Sequence, residues 1–232
     1  MTQTPEKQEG AGDQIVRLSG MRGMIAGKML ESLTTTAQLT HHAECDATGL
    51  FDLKSRLQEQ GQKASVEDVL LDVVVEMLSR HPGINGTLVD KEIKLSKAIN
   101  LGVAVALPGD LLVAPAILNA GSMTLEERIA ARRDVVERAR TNKLSVTEMT
   151  GGTFTITNLG LSRVKFFTPI LNAPQLAILG VGETALRPWI HNGEIAQRKI
   201  MGLSLTFDHR AVNGAPAGQF LTDLCMAIEQ LS

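Results

Sequence analysis

The stretch Pro188–Gly214, PWIHNGEIAQRKIMGLSLTFDHRAVNG, decides between the fold types open to this chain. Its Asn192-Gly193 pair supplies two residues that tolerate positive φ, so the spacing predicts a hairpin inside Pro188–Arg198. A buried strand is expected over Met201–Phe207, then a polar corner over Asp208–Gly214, then an amphipathic helix over Ala215–Leu231. A hairpin inserted into irregularly alternating strands and helices favours a mixed sheet over a doubly wound parallel one. The expected fold is therefore α/β, a two-layer α/β sandwich with a mixed sheet.

Upstream, Met21–Leu33 reads as an amphipathic helix with Ser19 as its N-cap, and Thr34–Cys45 is β-leaning. Leu50–Gln60 and Ser65–Arg80 are helical, the second stopped by His81-Pro82-Gly83. Thr87–Leu95 alternates as a strand. Two apolar runs, Leu101–Leu107 and Leu112–Leu118, flank a turn at Pro108-Gly109-Asp110. Leu125–Arg140 is a strongly charged helix, and Thr153–Asn158 and Leu176–Val181 read as buried strands. Gly180-Val181-Gly182 leads into a hairpin and not a helix, which excludes a dinucleotide-binding fingerprint. Residues 1–14, polar and without apolar periodicity, are expected as a disordered lead-in or linker remnant, leaving 15–232 as one domain.

Composition narrows the function classes. A net charge of -2 gives no field to recruit nucleic acid or an anionic membrane. With 3% aromatic residues and no Tyr, a base-stacking surface is not expected. No apolar run is long enough to span a bilayer and no secretory signal is visible, so a cytoplasmic location is expected. Cys45 and Cys225, among apolar neighbours, read as small buried hydrophobes. No His, Cys or carboxylate spacing has metal-ligand character, so no metal is expected.

Two clusters can carry chemistry. In Asp208-His209-Arg210-Ala211-Val212-Asn213-Gly214, a histidine at a strand-to-helix corner can leave the core, and imidazoles as a class exchange protons at modest cost. Asn213 is placed to hydrogen-bond back to the loop and Gly214 to permit a tight turn. In Thr155-Ile156-Thr157-Asn158-Leu159-Gly160, a hydroxyl at a strand end can donate to an oxyanion. Each cluster alone also reads as ordinary structure, a polar corner with capping duties and a threonine-rich strand ending at a turn. Among the other histidines, His81 reads as a helix end and His191 as an exposed hairpin residue, while one of His41 and His42 is a candidate to line a channel.

Together the clusters resemble the catalytic domain of the 2-oxo acid dehydrogenase acyltransferases and, more remotely, chloramphenicol acetyltransferase. The likeness runs from about Ile15 to Leu231. It includes Leu18-Ser19-Gly20-Met21-Arg22, the strand pair Ala98–Leu118, and Phe167–Gln175 before Ala177-Ile178-Leu179-Gly180, with Thr157 lying 52 residues before His209. The resemblance implies a chloramphenicol acetyltransferase-like fold and acyl transfer, acetyl first, between a dihydrolipoyl thiol and coenzyme A. His209 would be the base, Thr157 the oxyanion donor and Asn213 the residue orienting the loop, with Arg22, Asp208 and Gly214 in support. It also implies a homotrimer whose site is shared between subunits, served by the lipoyl domain of a 2-oxo acid dehydrogenase complex. Two other readings stay open: a scaffold whose catalysis has decayed, and a free-standing O-acetyltransferase.

The chain departs from the pattern in places. Asn213 stands where Asp is frequent, removing a charge that Arg22 would pair with. Leu161–Lys165 is more basic than the usual glycine-rich run, which would bear on coenzyme A. The Asp90-Lys91 pair lacks a second lipoyl-like half-repeat and is read as the turn of a strand pair, not as a lipoylation site. No apolar tail follows Leu231-Ser232, so trimers are expected not to close into a larger cage.

Overall fold

A computed structural model describes residues 17–109 and 111–231. The expected lead-in, the Asp110 turn position and the chain's end at Ser232 lie outside the described residues. The elements are α1 (Gly20–Thr35), β1 (Gln38–Asp46), α2 (Thr48–Glu59), α3 (Val66–Arg80), β2 (Gly86–Val89), β3 (Glu92–Leu95), β4 (Leu101–Val103), β5 (Val105–Leu107), β6 (Leu111–Val113), β7 (Ala116–Ile117), α4 (Leu125–Arg140), α5 (Val146–Thr150), β8 (Phe154–Asn158), β9 (Ala177–His191), β10 (Glu194–Asp208) and α6 (Gly214–Glu229). Six strands form one sheet in the order β1-β10-β9-β8-β4-β7. β8 runs parallel to both β4 and β9, and the other pairs are antiparallel, so the sheet is mixed as expected.

The turn at Asn192-Gly193 has positive φ at both residues, but the hairpin it closes is longer than the sequence suggests. β9 and β10 are each 15 residues long and continuous with the buried strands on either side. Their outer halves alternate between half-buried and exposed residues, which masks the continuity in a hydropathy reading. Thr87–Leu95 is likewise a pair, β2 and β3, turning at Asp90 and Lys91 with Asp90 at φ 54°. Each apolar run of 101–118 is split. β4 and β7 join the main sheet, whereas β5 and β6 pair with each other. The break is tertiary: Ala104 donates its N–H to Ile156 O at 2.9 Å and Val103 to Pro115 O at 3.0 Å, so the strand is spent before Val105.

The period of two in the strands sorts the sheet into unlike faces. Leu203, Leu205 and Phe207 of β10 are fully buried and join the core formed with α2, α3 and α6. Ser204, Thr206 and Asp208 point the other way. Thr206 meets Thr40 at 2.8 Å, and Ser204 Oγ meets His42 Nδ1 at 2.9 Å. The segment from Leu159 to Pro174 crosses this second face with α1 beside it: Ser32 Oγ donates to Leu171 O at 2.7 Å, and Leu171 N to Gln38 Oε1 at 3.2 Å.

On the helical side, α6 runs back along β1. His41 lies against Gly214 and Gly218, and Glu229 accepts from the Asp46 amide at 3.2 Å. Cys45 meets Cys225 thiol to thiol between these contacts, and that hydrogen bond together with burial pushes the Cys45 thiol far up. α4, a charged helix by sequence, turns its cations inward: Arg132 bonds buried Asp68 at 2.5 Å and Arg128 bonds Asp72.

The crossing segment presses on the sheet at a bulge between Met201 and Leu203. A Cβ added at Gly182 or at Gly202 would lie 2.1 Å from the Lys165 carbonyl oxygen. That obstacle is backbone, further tied by Glu183 N to Val164 O at 2.7 Å. Gly202→Ala is therefore expected to cost about 2 kcal/mol, as overpacking of a filled site does, and to lower the thermal midpoint by roughly 5 °C in a melting curve.

Candidate active site

β10 ends at Asp208, and the chain must leave the sheet there to enter α6. Asp208 is 1% exposed. Its Oδ1 accepts from the Ala37 amide at 3.3 Å and the Arg210 amide at 3.1 Å, and its Oδ2 accepts from Arg210 Nη2 at 2.6 Å. Its carbonyl oxygen accepts from Ala211 N and Val212 N, both at 2.9 Å. Burial acts to raise the carboxyl, but the bonds from Arg210 and the two amides outweigh it and hold the carboxyl below the usual range. His209 N donates to Ala37 O at 2.8 Å. The backbone of the corner is thus clamped to the start of β1 while the His209 side chain is exposed.

Three of the sequence-derived assignments take a different form. Asn213 is the N-cap residue of α6, but its side chain makes no capping bond, and among the described residues it has no bond to His209. The loop is held by Asp208 instead. Gly214 lies in the first turn of the helix without positive φ, and a Cβ there would make ordinary contact with His41 at 3.8 Å. Gly214 therefore meets no conformational demand at the turn. Arg22 donates to Gly109 O at 2.6 Å, tying α1 to the β5–β6 turn, and among the described residues it has no hydrogen bond to Asn213.

Thr157 lies on β8 and lines a cavity of about 380 Å³ on the second face of the sheet. Thr155, on the same face, spends its hydroxyl on Gln175 at 2.6 Å, whereas Thr157 has no hydrogen-bond partner for its hydroxyl among the described residues. A second cavity of about 570 Å³ is bounded by Asp208, Arg210, Glu31 and Lys28, and Lys28 borders both. Neither space is foreshadowed by any local motif, because each is assembled from distant segments. His42 shares Thr157's face of the sheet but is bonded to Ser204, and His41 packs edge-on against Phe207 at 5.0 Å. Lys165 of the basic run is paired with Glu44 at 2.8 Å. His81 caps the end of α3 and bonds Asp223 at 2.9 Å. Among the described residues no group of His, Cys, Asp and Glu could hold a metal, and no helix is long and apolar enough to cross a membrane.

Thr157 and His209 do not meet within one chain. In register, Thr157 is level with Gly180 of β9 and Ser204 of β10, and His209 lies five residues further on. At about 3.3 Å per residue and about 4.8 Å per strand, the two are roughly 20 Å apart.

The 2-oxoacid dehydrogenase acyltransferase (catalytic domain) family matches residues 10–232. The dihydrolipoyllysine-residue acetyltransferase component of the acetoin cleaving system of Bacillus subtilis is 37% identical over 222 residues, covering 94% of this chain and 56% of that protein. The chain spans about half the length, or less, of the curated relatives it matches first. A probable dihydrolipoamide acetyltransferase from Listeria monocytogenes superposes with a TM-score of 0.88 at 32% identity, covering 96% of this chain and 97% of the other. The dihydrolipoamide acetyltransferase of Azotobacter vinelandii gives 0.86 at 28% identity, covering 99% and 98%. In that protein a serine, a histidine 52 residues later and an asparagine four further on have been investigated for their role in catalysis. Chloramphenicol acetyltransferase, at 15% identity and a TM-score of 0.57 over 88% of this chain and 94% of that one, shares the fold.

The Asp208 carboxylate gives a pH signature. Its lowered value means that the native chain binds fewer protons than the unfolded one. Its stabilisation is complete above the unfolded value, about 4, and is lost as pH falls through the lower folded value. Asp208→Asn should cost about 2 kcal/mol at pH 7, the scale of hydrogen bonds to a charged group discounted for the exposure of Arg210. Urea unfolding at pH 7 and at pH 3 should show the gap between variant and parent shrinking at the lower pH.

Proposed function

The chain belongs to the 2-oxoacid dehydrogenase acyltransferase catalytic-domain family, and from that premise we propose that it transfers an acyl group, acetyl among them, between coenzyme A and a dihydrolipoyl thiol. His209 removes the proton from the incoming thiol. The sulfur attacks the thioester carbonyl carbon, and the carbonyl oxygen becomes an oxyanion that Thr157 stabilises with its hydroxyl. The old C–S bond then breaks, and the imidazolium returns the proton to the leaving sulfur. Asn213, exposed at the N-cap of α6 four residues after the histidine, is free to assist His209 once the shared site is assembled. The observation that carries this reading is the spacing: Thr157, His209 and Asn213 repeat the 52- and four-residue intervals of the serine, histidine and asparagine in the Azotobacter enzyme, with a threonine hydroxyl in place of the serine's.

The distance of roughly 20 Å between Thr157 and His209 in one chain supports a site shared between copies. A homotrimer closed by rotation lets each corner carrying His209 face the β8 strand of the next subunit. The lipoyl group arrives on the lipoyl domain of a 2-oxo acid dehydrogenase complex, and the two buried cysteines, unpaired by a disulfide, suit the reducing cytoplasm.

The first test is thioester formation from acetyl-coenzyme A and free dihydrolipoamide. His209→Ala should lower the rate by ~100- to 10,000-fold with the fold retained. Thr157→Val should lower kcat by roughly 100-fold with little change in KM, while Thr157→Ser keeps much of the activity. Near-parental turnover by folded His209→Ala would remove the assignment.

The shared site has its own test. Chains carrying His209→Ala and chains carrying Thr157→Val, each strongly impaired alone, should regain activity when co-expressed. Random mixing in a trimer makes about a quarter of the sites whole. No recovery in verified mixed trimers would place both groups in one subunit.

A further inference from the structure

We infer that the cavity beside Thr157 receives the acyl chain and selects uncharged, apolar acyl groups, branched ones included, against acyl groups that carry a distal carboxylate; this rests on the acyl-transfer reading above. If the Thr157 hydroxyl binds the oxyanion, the carbonyl carbon sits next to it, and the rest of the acyl group must extend into adjoining space. The space on the same face of the sheet is the cavity of about 380 Å³, far more than a two-carbon chain fills.

Its walls are set by the strand register. Val103 of β4 is level with Ile156 of β8, so Ala104 follows beside Thr157, and its methyl leaves room there. Ile178, paired with Thr155, forms the floor, with Phe167, Ile170 and Met149 around it. The polar groups are few. The Thr155 hydroxyl is already spent on Gln175. Asn172 is a further polar residue there; among the described residues Lys28 is the one charged residue on the lining, and it is exposed on α1 and shared with the cavity beside Glu31 and Asp208. Its ammonium can stay in water while its stem covers the rim. A carboxylate at the far end of an acyl chain would lose part of its hydration against Phe167 and Ile170, and among the described residues no cation lies on the inner lining to replace it. A branched hydrocarbon chain meets no such penalty and gains by burial.

The test compares acetyl-, isobutyryl- and succinyl-coenzyme A as donors to dihydrolipoamide, using the intact chain. Acetyl and isobutyryl are expected within about tenfold of each other in kcat/KM, and succinyl roughly 100-fold or more below both. Ala104→Leu, which fills the space beside the hydroxyl, should lower the isobutyryl-to-acetyl ratio by about tenfold. Met149→Arg, at a partly exposed wall position that tolerates charge, should raise succinyl transfer relative to acetyl by about tenfold and covers the case in which Ala104→Leu fails to fold. Succinyl transfer equal to acetyl in the parent chain, or an unchanged isobutyryl-to-acetyl ratio in folded Ala104→Leu, overturns the inference while leaving acyl transfer standing. Inactivity with all three donors overturns the acyl-transfer reading, and this inference with it.

Discussion

A single buried carboxylate organises the end of the sheet. Asp208 closes β10 by bonding at once to Ala37, the residue before β1, and to the arginine two places on, while its carbonyl starts the turn into α6. An ionised group this deep is tolerable because the Ala37 amide and the amide and guanidinium of Arg210 donate to it. The arrangement leaves no freedom in where the next residue emerges. His209 is held at its amide by Ala37 and projects its ring outward. Preorganisation of this kind would spare the base proposed at His209 from being positioned anew in each turnover.

The sheet then keeps two chemistries apart. Its helical face is closed by Leu203, Leu205, Phe207, Phe220 and their neighbours, as dry as any core. The opposite face carries Thr40, His42, Thr155, Thr157, Ser204 and Thr206, a band of hydroxyls and one imidazole under a crossing strand of chain. Most of those hydroxyls are paired, which is what allows them to lie under cover. Thr157, with no such partner, stands out by contrast. The close approach of the crossing segment over Gly182 and Gly202 fixes how far that cover stands from the sheet.

The mixed sheet was legible because Asn192-Gly193 is a strong local signal, and Thr157 and His209 stood out as candidates because both sit in short motifs at a fixed separation, on which the roles proposed for them rest. The lengths of β9 and β10 were not, since their outer halves alternate with charged residues that belong as well to a loop. The division of 101–118 between two sheets was hidden for another reason. Leu101–Leu107 is uniformly apolar, and only Ile156, fifty residues away, decides where the strand stops. Arg22 shows the limit of pairing charges by type: it was expected to serve position 213, whereas in the fold its guanidinium donates to a carbonyl of the β5–β6 turn. The cavities could not be read at all, because the one beside Thr157 draws its lining from α1, from Ala104 just after β4, and from β6, α5, β8, β9 and the crossing segment.

The thiol pair under α6 also has a practical meaning. Cys45 is fully buried against Cys225 and held in its protonated form, so a water-borne alkylating reagent cannot attack it while the last helix is docked. Its rate of modification therefore counts the moments at which that helix lifts from β1. Because the same helix begins where the corner bearing His209 ends, the chain carries its own clock for how often the floor beneath that corner gives way.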